Sequence, residues 1–467
     1  MSNDNSSGVS LPSGETGSVF FHRVLNETAA RFSELASARL PKIAKQFKAT
    51  YGDDLIRYEA ARLGSGKRVE IARALSKATI DSLRLNGVPL MDALVSPADA
   101  PATQKKSFSG EPTLRAEVPF EGKLYSGGEL LALLDKMHDR HHMTTAAHVA
   151  LRWIVQKAPT IDLRDQRFAL LGANAELSPV RMLLGAGATV LWVDVKPPRL
   201  DETGLAGSVE FNPAGDDLLV NPRGALATIR RFAEDGAVHL GMLAYAPGAS
   251  RELRIAGSMA AIAESLEPPL LRSVSILISP TSPGEVQPED RAAIAKRKQH
   301  LWQKALALGR VLPAPGYFGH GDAAVARAIV GLQGQAYQAA QYLTKIAWAE
   351  AFSSQNDCVV SANVAGITNT KSLEHPLFQV AFVGAVSFGI QIYTADTTRA
   401  LSGLLMLHDI LNPRAQSSGE TRARALRSEQ IHGGVYAMPW QFNAAVQTAA
   451  VIGASRKPSL LLKRKRH

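Results

Sequence analysis

The sequence predicts an α/β fold, a doubly wound parallel sheet preceded by a helical N-terminal region, and three observations predict it. RFALLGA (167–173), PVRMLLGAG (179–187) and ATVLWVDV (188–195) read as strand, helix and strand, a βαβ unit that implies a parallel sheet with helices on both faces. Further short apolar runs, VHLGMLAYA (238–246), SVSILISP (273–280) and DCVVSANVAG (357–366), alternate with helical stretches. No internal repeat is present, which argues against a solenoid.

Ahead of this unit the spacing is helical. Phe20, Val24, Leu25, Phe32, Leu35, Leu40, Ile43 and Phe47 recur at helical intervals, and Pro41 divides the run into two helices. A further helix is expected over 67–95. Pro97, Pro101, Pro112 and Pro119 then fall among Ser, Lys and Gly, so 96–122 reads as a linker and 1–122 as a helical N-terminal region with that linker. The span 128–156 is helical again, interrupted near His142 and closed by Pro159. The sheet-bearing domain is placed at 123–412 with an insertion over 283–336, and 413–467 forms a C-terminal extension with a basic tail.

With 467 residues, 46% hydrophobic and 20% charged, the chain supports two or three globular domains and is too apolar for disorder throughout. A single cysteine, Cys358, excludes an internal disulfide, and no CxxC or Cys/His cluster offers a structural zinc site. A reducing, cytoplasmic location is expected. The net charge of +10 divides unevenly: residues 1–160 hold 21 basic and 17 acidic residues (+4), 456–467 hold six basic and none acidic (+6), and the middle sums to zero. The tail residues Lys463, Arg464, Lys465 and Arg466 could meet RNA, an anionic membrane or an import receptor, and the plainer reading is a solvated tail. The first 18 residues are polar and do not resemble a secretory signal. The most apolar stretch, 376–395, carries Gln379, Gln391, two Gly and a Ser, which suits a buried helix and strand better than a membrane span.

A dinucleotide site in a Rossmann-like fold needs a tight turn after the first strand, a helix start aimed at the pyrophosphate and an acid ending the second strand. Gly172 occupies the first glycine position, Asn174 lies in the turn, Ser178-Pro179 reads as N-cap and first helical residue, and Asp194 follows Gly172 by 22 residues, close to the expected ~20. Glu176 and Ser178 stand where glycines would let a backbone approach phosphate, so a turn with no ligand is the competing reading. Asp194 favours NAD, because it would repel a 2′-phosphate; Lys196 and Arg199 keep NADP open.

AYQAAQYLTK (336–345), followed by IAWAEAF and VVSANVAGITNT, resembles the short-chain dehydrogenase/reductase superfamily over roughly 165–412. That family carries a catalytic Tyr and, four residues on, a Lys on one helix, then a strand ending in an Asn-x-x-x-Gly-x-x-x-Thr-like turn. The resemblance implies Tyr337 as acid/base, and Asn363, Gly366 and Thr370 as the cofactor-side turn, with Gly248 matching the family's glycine at an earlier strand end. The implied activity is reduction of a carbonyl or oxidation of an alcohol with NAD or NADP, on a small-molecule substrate and in a homo-oligomer. Hydride transfer to a carbonyl leaves an oxyanion, which a Tyr hydroxyl protonates while a Ser or Thr hydroxyl holds it; Ser279 or Thr281 would serve. The family's Lys position is Gln341, which can bond a ribose but has no charge to lower the Tyr pKa; Lys345 lies one helical turn further. Because the departures fall on chemical positions, the alternative is a non-catalytic Rossmann-like scaffold or partner subunit.

Three other constellations invite chemistry. His138 and His142, with His148 beyond, could face a metal, though a capping or surface cluster explains them. His320 and Asp322 in a glycine-rich turn could close over a substrate, or form a plain loop with Asp322 as N-cap. The run 432–436 reads as flexible, and Ala381, Ala385 and Gly389 form a small-residue stripe suited to close helix packing, plausible at a subunit interface.

Overall fold

The computed structural model describes residues 8–248, 250–412 and 419–461. At its centre is a seven-stranded sheet. We number its strands β1 (Gln104–Ser107), β2 (Arg167–Leu171), β3 (Thr189–Val193), β4 (Ser208–Phe211), β5 (Val238–Met242), β6 (Leu271–Ile278) and β7 (Val359–Val364). In space they run β7-β6-β5-β2-β3-β4-β1, with every pair parallel except the antiparallel edge pair β4-β1. The near-continuous apolar character of β2, β3 and β5 follows, since a parallel sheet covered on both faces buries alternate residues on each side. Ala169 and Leu171 pack into one core, Phe168 and Leu170 into the other.

The helices are α1 (Gly17–Arg31), α2 (Ala44–Leu63), α3 (Arg68–Ser82), α4 (Leu90–Val95), α5 (Gly127–Asp139), α6 (Thr145–Lys157), α7 (Val180–Gly185), α8 (Pro222–Ala233), α9 (Arg251–Ser265), α10 (Pro288–Lys296), α11 (Leu301–Leu308), α12 (Gln335–Gln341), α13 (Trp348–Gln355), α14 (Pro376–Ala385), α15 (Ala395–Leu411), α16 (Gly419–Ala425) and α17 (Phe442–Arg456). One face of the sheet carries α1–α4, α8, α9, α12 and α13; the other carries α5, α6, α7 and α15. Among the described residues no helix is long and apolar enough to cross a membrane. The basic residues 463–466 lie outside the described residues.

Several local readings are corrected. The proline-spaced segment 96–122 is not only a linker: it supplies β1, whose residues pair with β4, and half of a hairpin, Glu117–Phe120 with Lys123–Ser126. The helix expected over 67–95 is two helices separated by the short hairpin Arg84–Leu85 and Val88–Pro89. Of the small-residue stripe, Ala381 and Ala385 are buried on α14, which crosses α17 so closely that a Cβ on the adjacent Gly384 would fall 1.9 Å from the Ala449 carbonyl oxygen, whereas Gly389 lies beyond the helix beside Arg297. The run 432–436 is interior. His432 is fully buried, with Nε2 3.0 Å from Asp290 Oδ2, and Tyr436 stacks on it. His138 stacks on His148, whereas His142 is buried near His432, and its pKa falls to about 4 through burial and that neighbouring imidazole.

The N-terminal helices are tied to α13 and to the segments carrying Glu285 and Arg427 by a buried ionic network. Arg62 Nε lies 2.7 Å from Glu59 and its Nη1 3.0 Å from Glu350, all three side chains fully buried. Arg68 contacts Glu350 at 2.5 Å and Glu285 at 2.9 Å, and Arg427 reaches Glu285 at 2.9 Å. Tyr342 Oη donates to Glu59 Oε2 at 2.7 Å. Three guanidiniums and three carboxylates thus compensate one another where an isolated charge would be very costly.

Candidate functional site

β6 ends at Ile278, and the chain turns through Ser279, Pro280 and Thr281 at the carboxyl edge of the sheet. Helix α12 reads this turn with amide side chains. Gln341 Oε1 accepts from Ser279 N at 3.0 Å, and Gln338 Nε2 donates to the Thr281 carbonyl at 2.9 Å, both glutamines being buried. The hydroxyls of Ser279 and Thr281 lie 2.8 Å apart and both face the phenol of Tyr337. Enclosure raises the Tyr337 pKa above its ordinary value. Hydrogen bonding to Ser279 and Thr281 opposes that, while Glu252 and Tyr245 reinforce it. The phenol is therefore held protonated, as a donor rather than a base.

Helix α12 does not continue as a regular helix to Lys345. A π-helical turn, Tyr342–Ala347, intervenes before α13, so the turn-by-turn geometry expected from an α-helix does not hold. Lys345 Nζ donates to the Leu277 carbonyl at 3.3 Å and lies 3.7 Å from Glu252 Oε1. Its ammonium is thus committed to Glu252. Glu252 sits in the first turn of α9 and its Oε2 accepts from Ala246 N at 3.0 Å. Burial raises its pKa, against the Lys345 charge and the Ala246 bond.

Tyr337, Glu252, Tyr245 and Gly248 line one cavity of about 440 Å³, which Lys48 and Tyr51 of α2 also border. The structure thus brings Tyr337, Ser279, Thr281, Gln341 and Lys345 into one neighbourhood, with Gly248 at the cavity wall. Sequence reasoning missed Gln338, Glu252 and Tyr245. Gln338 shares a helix with Gln341, three residues away, and that spacing is the signal that could have found it.

The turn after β2 is more self-contained than the motif implies. Gly172 has φ +88°, and a Cβ there would lie 2.3 Å from the Ala244 backbone, so the glycine is required by close strand-to-turn packing. Asp194 Oδ2 accepts from Asn174 N at 3.0 Å, and burial raises the Asp194 pKa in spite of this and further backbone bonds. Ser178 does not cap the helix: α7 starts at Val180 after Pro179, without a side-chain cap, and Ser178 Oγ is buried with no partner among the described residues. Glu176 Oε2 accepts from Lys371 N at 3.2 Å.

The residues after β7 serve other ends. Asn363 Nδ2 donates to Ser361 Oγ at 3.1 Å and to Asp409 Oδ2 at 3.2 Å, beside a different cavity of about 260 Å³. Gly366 makes room for Tyr393, whose ring would be 2.2 Å from a Cβ. Thr370 Oγ1 lies 2.9 Å from Ser372 Oγ, and Ser372 hydrogen-bonds the Tyr245 hydroxyl. His320 and Asp322 are exposed in a turn beyond the short strand Tyr317–Phe318 and do not line the Tyr337 cavity. Comparison with protein-family models, curated proteins and solved structures finds no match to this chain.

Proposed function

We propose that the protein is a Rossmann-like oxidoreductase, similar to short-chain dehydrogenases/reductases, that reduces a carbonyl to an alcohol with Tyr337 as proton donor. The observation that carries this reading is the Tyr337 phenol beside the Ser279 and Thr281 hydroxyls, at the carboxyl end of β6 and on the wall of a cavity. The strand order supports it. Taken in chain order from β2 to β7, the six parallel strands are arranged as in dinucleotide-binding folds, with the topological switch point between β2 and β5, where ligands settle beyond the strand ends.

Residues for NAD are present at the ribose end and weaker at the pyrophosphate end. Asp194 is partly exposed where a second strand ends, and its Oδ1 contact with Lys196 N is long, 3.4 Å, which leaves the carboxylate able to accept from ribose hydroxyls. Asn174 orients that carboxylate from the turn. Glu176, by contrast, brings negative charge to the turn, and α7 is only six residues long. NAD or NADP would supply the hydride. The chain's own part is to hold the carbonyl oxygen at Ser279 or Thr281 and to donate the Tyr337 proton to the developing alkoxide. A protonated phenol suits reduction better than alcohol oxidation, which needs a base.

The decisive experiment titrates NADH and NADPH by fluorescence and then assays turnover on a carbonyl panel. Tyr337→Phe is expected to keep cofactor binding and lose turnover by roughly 10²–10⁴-fold, the usual worth of a positioned acid. A second reading, a non-catalytic scaffold of the same architecture, is favoured by one observation: Gln341, at the family's lysine position, is bonded to Ser279 N. Cofactor binding without turnover of any carbonyl would establish it, and absence of binding would remove both.

A further inference from the structure

We propose that a third cavity, on the side of α7 turned away from the sheet, binds the phosphate of an organic phosphate monoester. Its volume is about 380 Å³ and it shares no residue with the Tyr337 cavity. Val180, Leu183 and Leu184 of α7 face the core, whereas Arg181 and Met182 line this cavity.

Three guanidiniums converge here from separate parts of the chain: Arg115 beside the hairpin, Arg181 from α7 and Arg399 from α15. Two are held in place by backbone carbonyls. Arg181 Nη1 donates to Asp201 O at 2.6 Å and Nη2 to Thr203 O at 3.4 Å; Arg399 Nη1 donates to Glu176 O at 3.0 Å and its Nη2 pairs with Asp396. Arg115 packs against Gly204, where a Cβ would lie 3.3 Å from its terminal nitrogens, and among the described residues its guanidinium has no ion pair or hydrogen bond. Ser178, 3% exposed, also lines the cavity, and among the described residues its hydroxyl has no partner.

The charge count sets the ligand class. Glu117 and Asp396 also line the cavity; Asp396 is paired to Arg399 and Arg181 lies 3.7 Å from Asp201, which leaves the Arg115 guanidinium as the cation without an acid partner among the described residues. Planar guanidinium forks match the several acceptor oxygens of a phosphate better than a point cation would, and forks fixed beforehand lose little freedom on binding. The volume exceeds what a bare phosphate fills and falls in the range of small-molecule pockets, roughly 300–1,000 Å³, which favours an ester over the free ion.

Calorimetric titration of the full chain with AMP, glycerol 3-phosphate and inorganic phosphate, at matched ionic strength, tests this. At least one ester is expected to bind tenfold or more tightly than inorganic phosphate, with Arg115→Gln and Arg181→Gln each weakening it tenfold or more and Ser178→Ala weakening it severalfold. Arg115→Lys, which keeps the charge and loses the fork, is expected to weaken it too, and both arginines are exposed, so unchanged melting temperatures should accompany these losses. No binding of either ester, inorganic phosphate bound as tightly as the esters, or ester binding indifferent to Arg115→Gln overturns the proposal. Tyr337→Phe should leave ester binding unaltered, so this outcome is separable from that of the oxidoreductase reading.

Discussion

Lys345 Nζ stands 3.7 Å from Oε1 of Glu252, with the two side chains 12% and 4% exposed, and Glu252 lines the same cavity as Tyr337. The cation is therefore spent on a carboxylate, and the phenol faces that carboxylate's influence. Burial raises the Glu252 pKa, so its neutral form is favoured by folding: that contribution is complete below the ordinary Glu value and is lost as pH rises through the raised one. Glu252→Gln, which keeps the neutral shape, should gain on the parent in urea melts as pH rises from 5 to 9. An unchanged difference across that range would remove Glu252 as a titrating group.

Glu350 shows the opposite sign. Burial alone would raise its pKa, but Arg62 and Arg68 beside it hold it down to about 2. Stability from this group is present above pH about 4.5 and is lost as pH falls toward about 2, amounting to about 3 kcal/mol. Glu350→Gln leaves buried guanidiniums uncompensated and should cost roughly 3–5 kcal/mol at pH 7, with a smaller loss at pH 3. Urea unfolding at the two pH values measures both.

Two glycines of positive φ should respond differently to alanine. At Gly172 the new Cβ meets the Ala244 backbone at 2.3 Å, whereas at Gly248, φ +107°, nothing lies within 4 Å. Gly248→Ala should cost about 1–2 kcal/mol of backbone strain, and Gly172→Ala markedly more because two strand ends must separate. Chemical denaturation of the pair is the check; equal losses would mean that the turn gives way at no expense.

Gln341→Lys places an ammonium where the resembled family has one. Here it removes the acceptor of Ser279 N at a site 2% exposed. The expected result is a loss of about 1–3 kcal/mol with no gain in turnover, since an unpaired buried amide carries that penalty. Raised activity would show that the Ser279 bond is dispensable.

The parallel strands could be read from RFALLGA, ATVLWVDV and VHLGMLAYA because an apolar run bounded by glycine or acid is what a doubly covered strand requires. SVEF (208–211) escaped notice: it is four residues long and half polar, and an irregular connection rather than a helix precedes it. The edge strand QKKS is fully exposed and looks like loop, since only backbone pairing to β4 makes it a strand. The grouping of Tyr337 with Ser279 was foreseeable through the family resemblance. The π turn that redirects Lys345, and the 93-residue separation across which it meets Glu252, leave no trace in periodicity.

Arg427 approaches Glu285, Glu59 and Glu350 within one interior cluster, the last two at 3.6 Å. Residues from near the start, the middle and the end of the polypeptide are thus needed together before that interior is electrically neutral. During synthesis the early helices must wait, with Arg62 and Glu59 only partly matched, until more than nine-tenths of the chain has left the ribosome. Release of shortened chains ending before residue 427 should accordingly yield species that proteases cut within the first hundred residues.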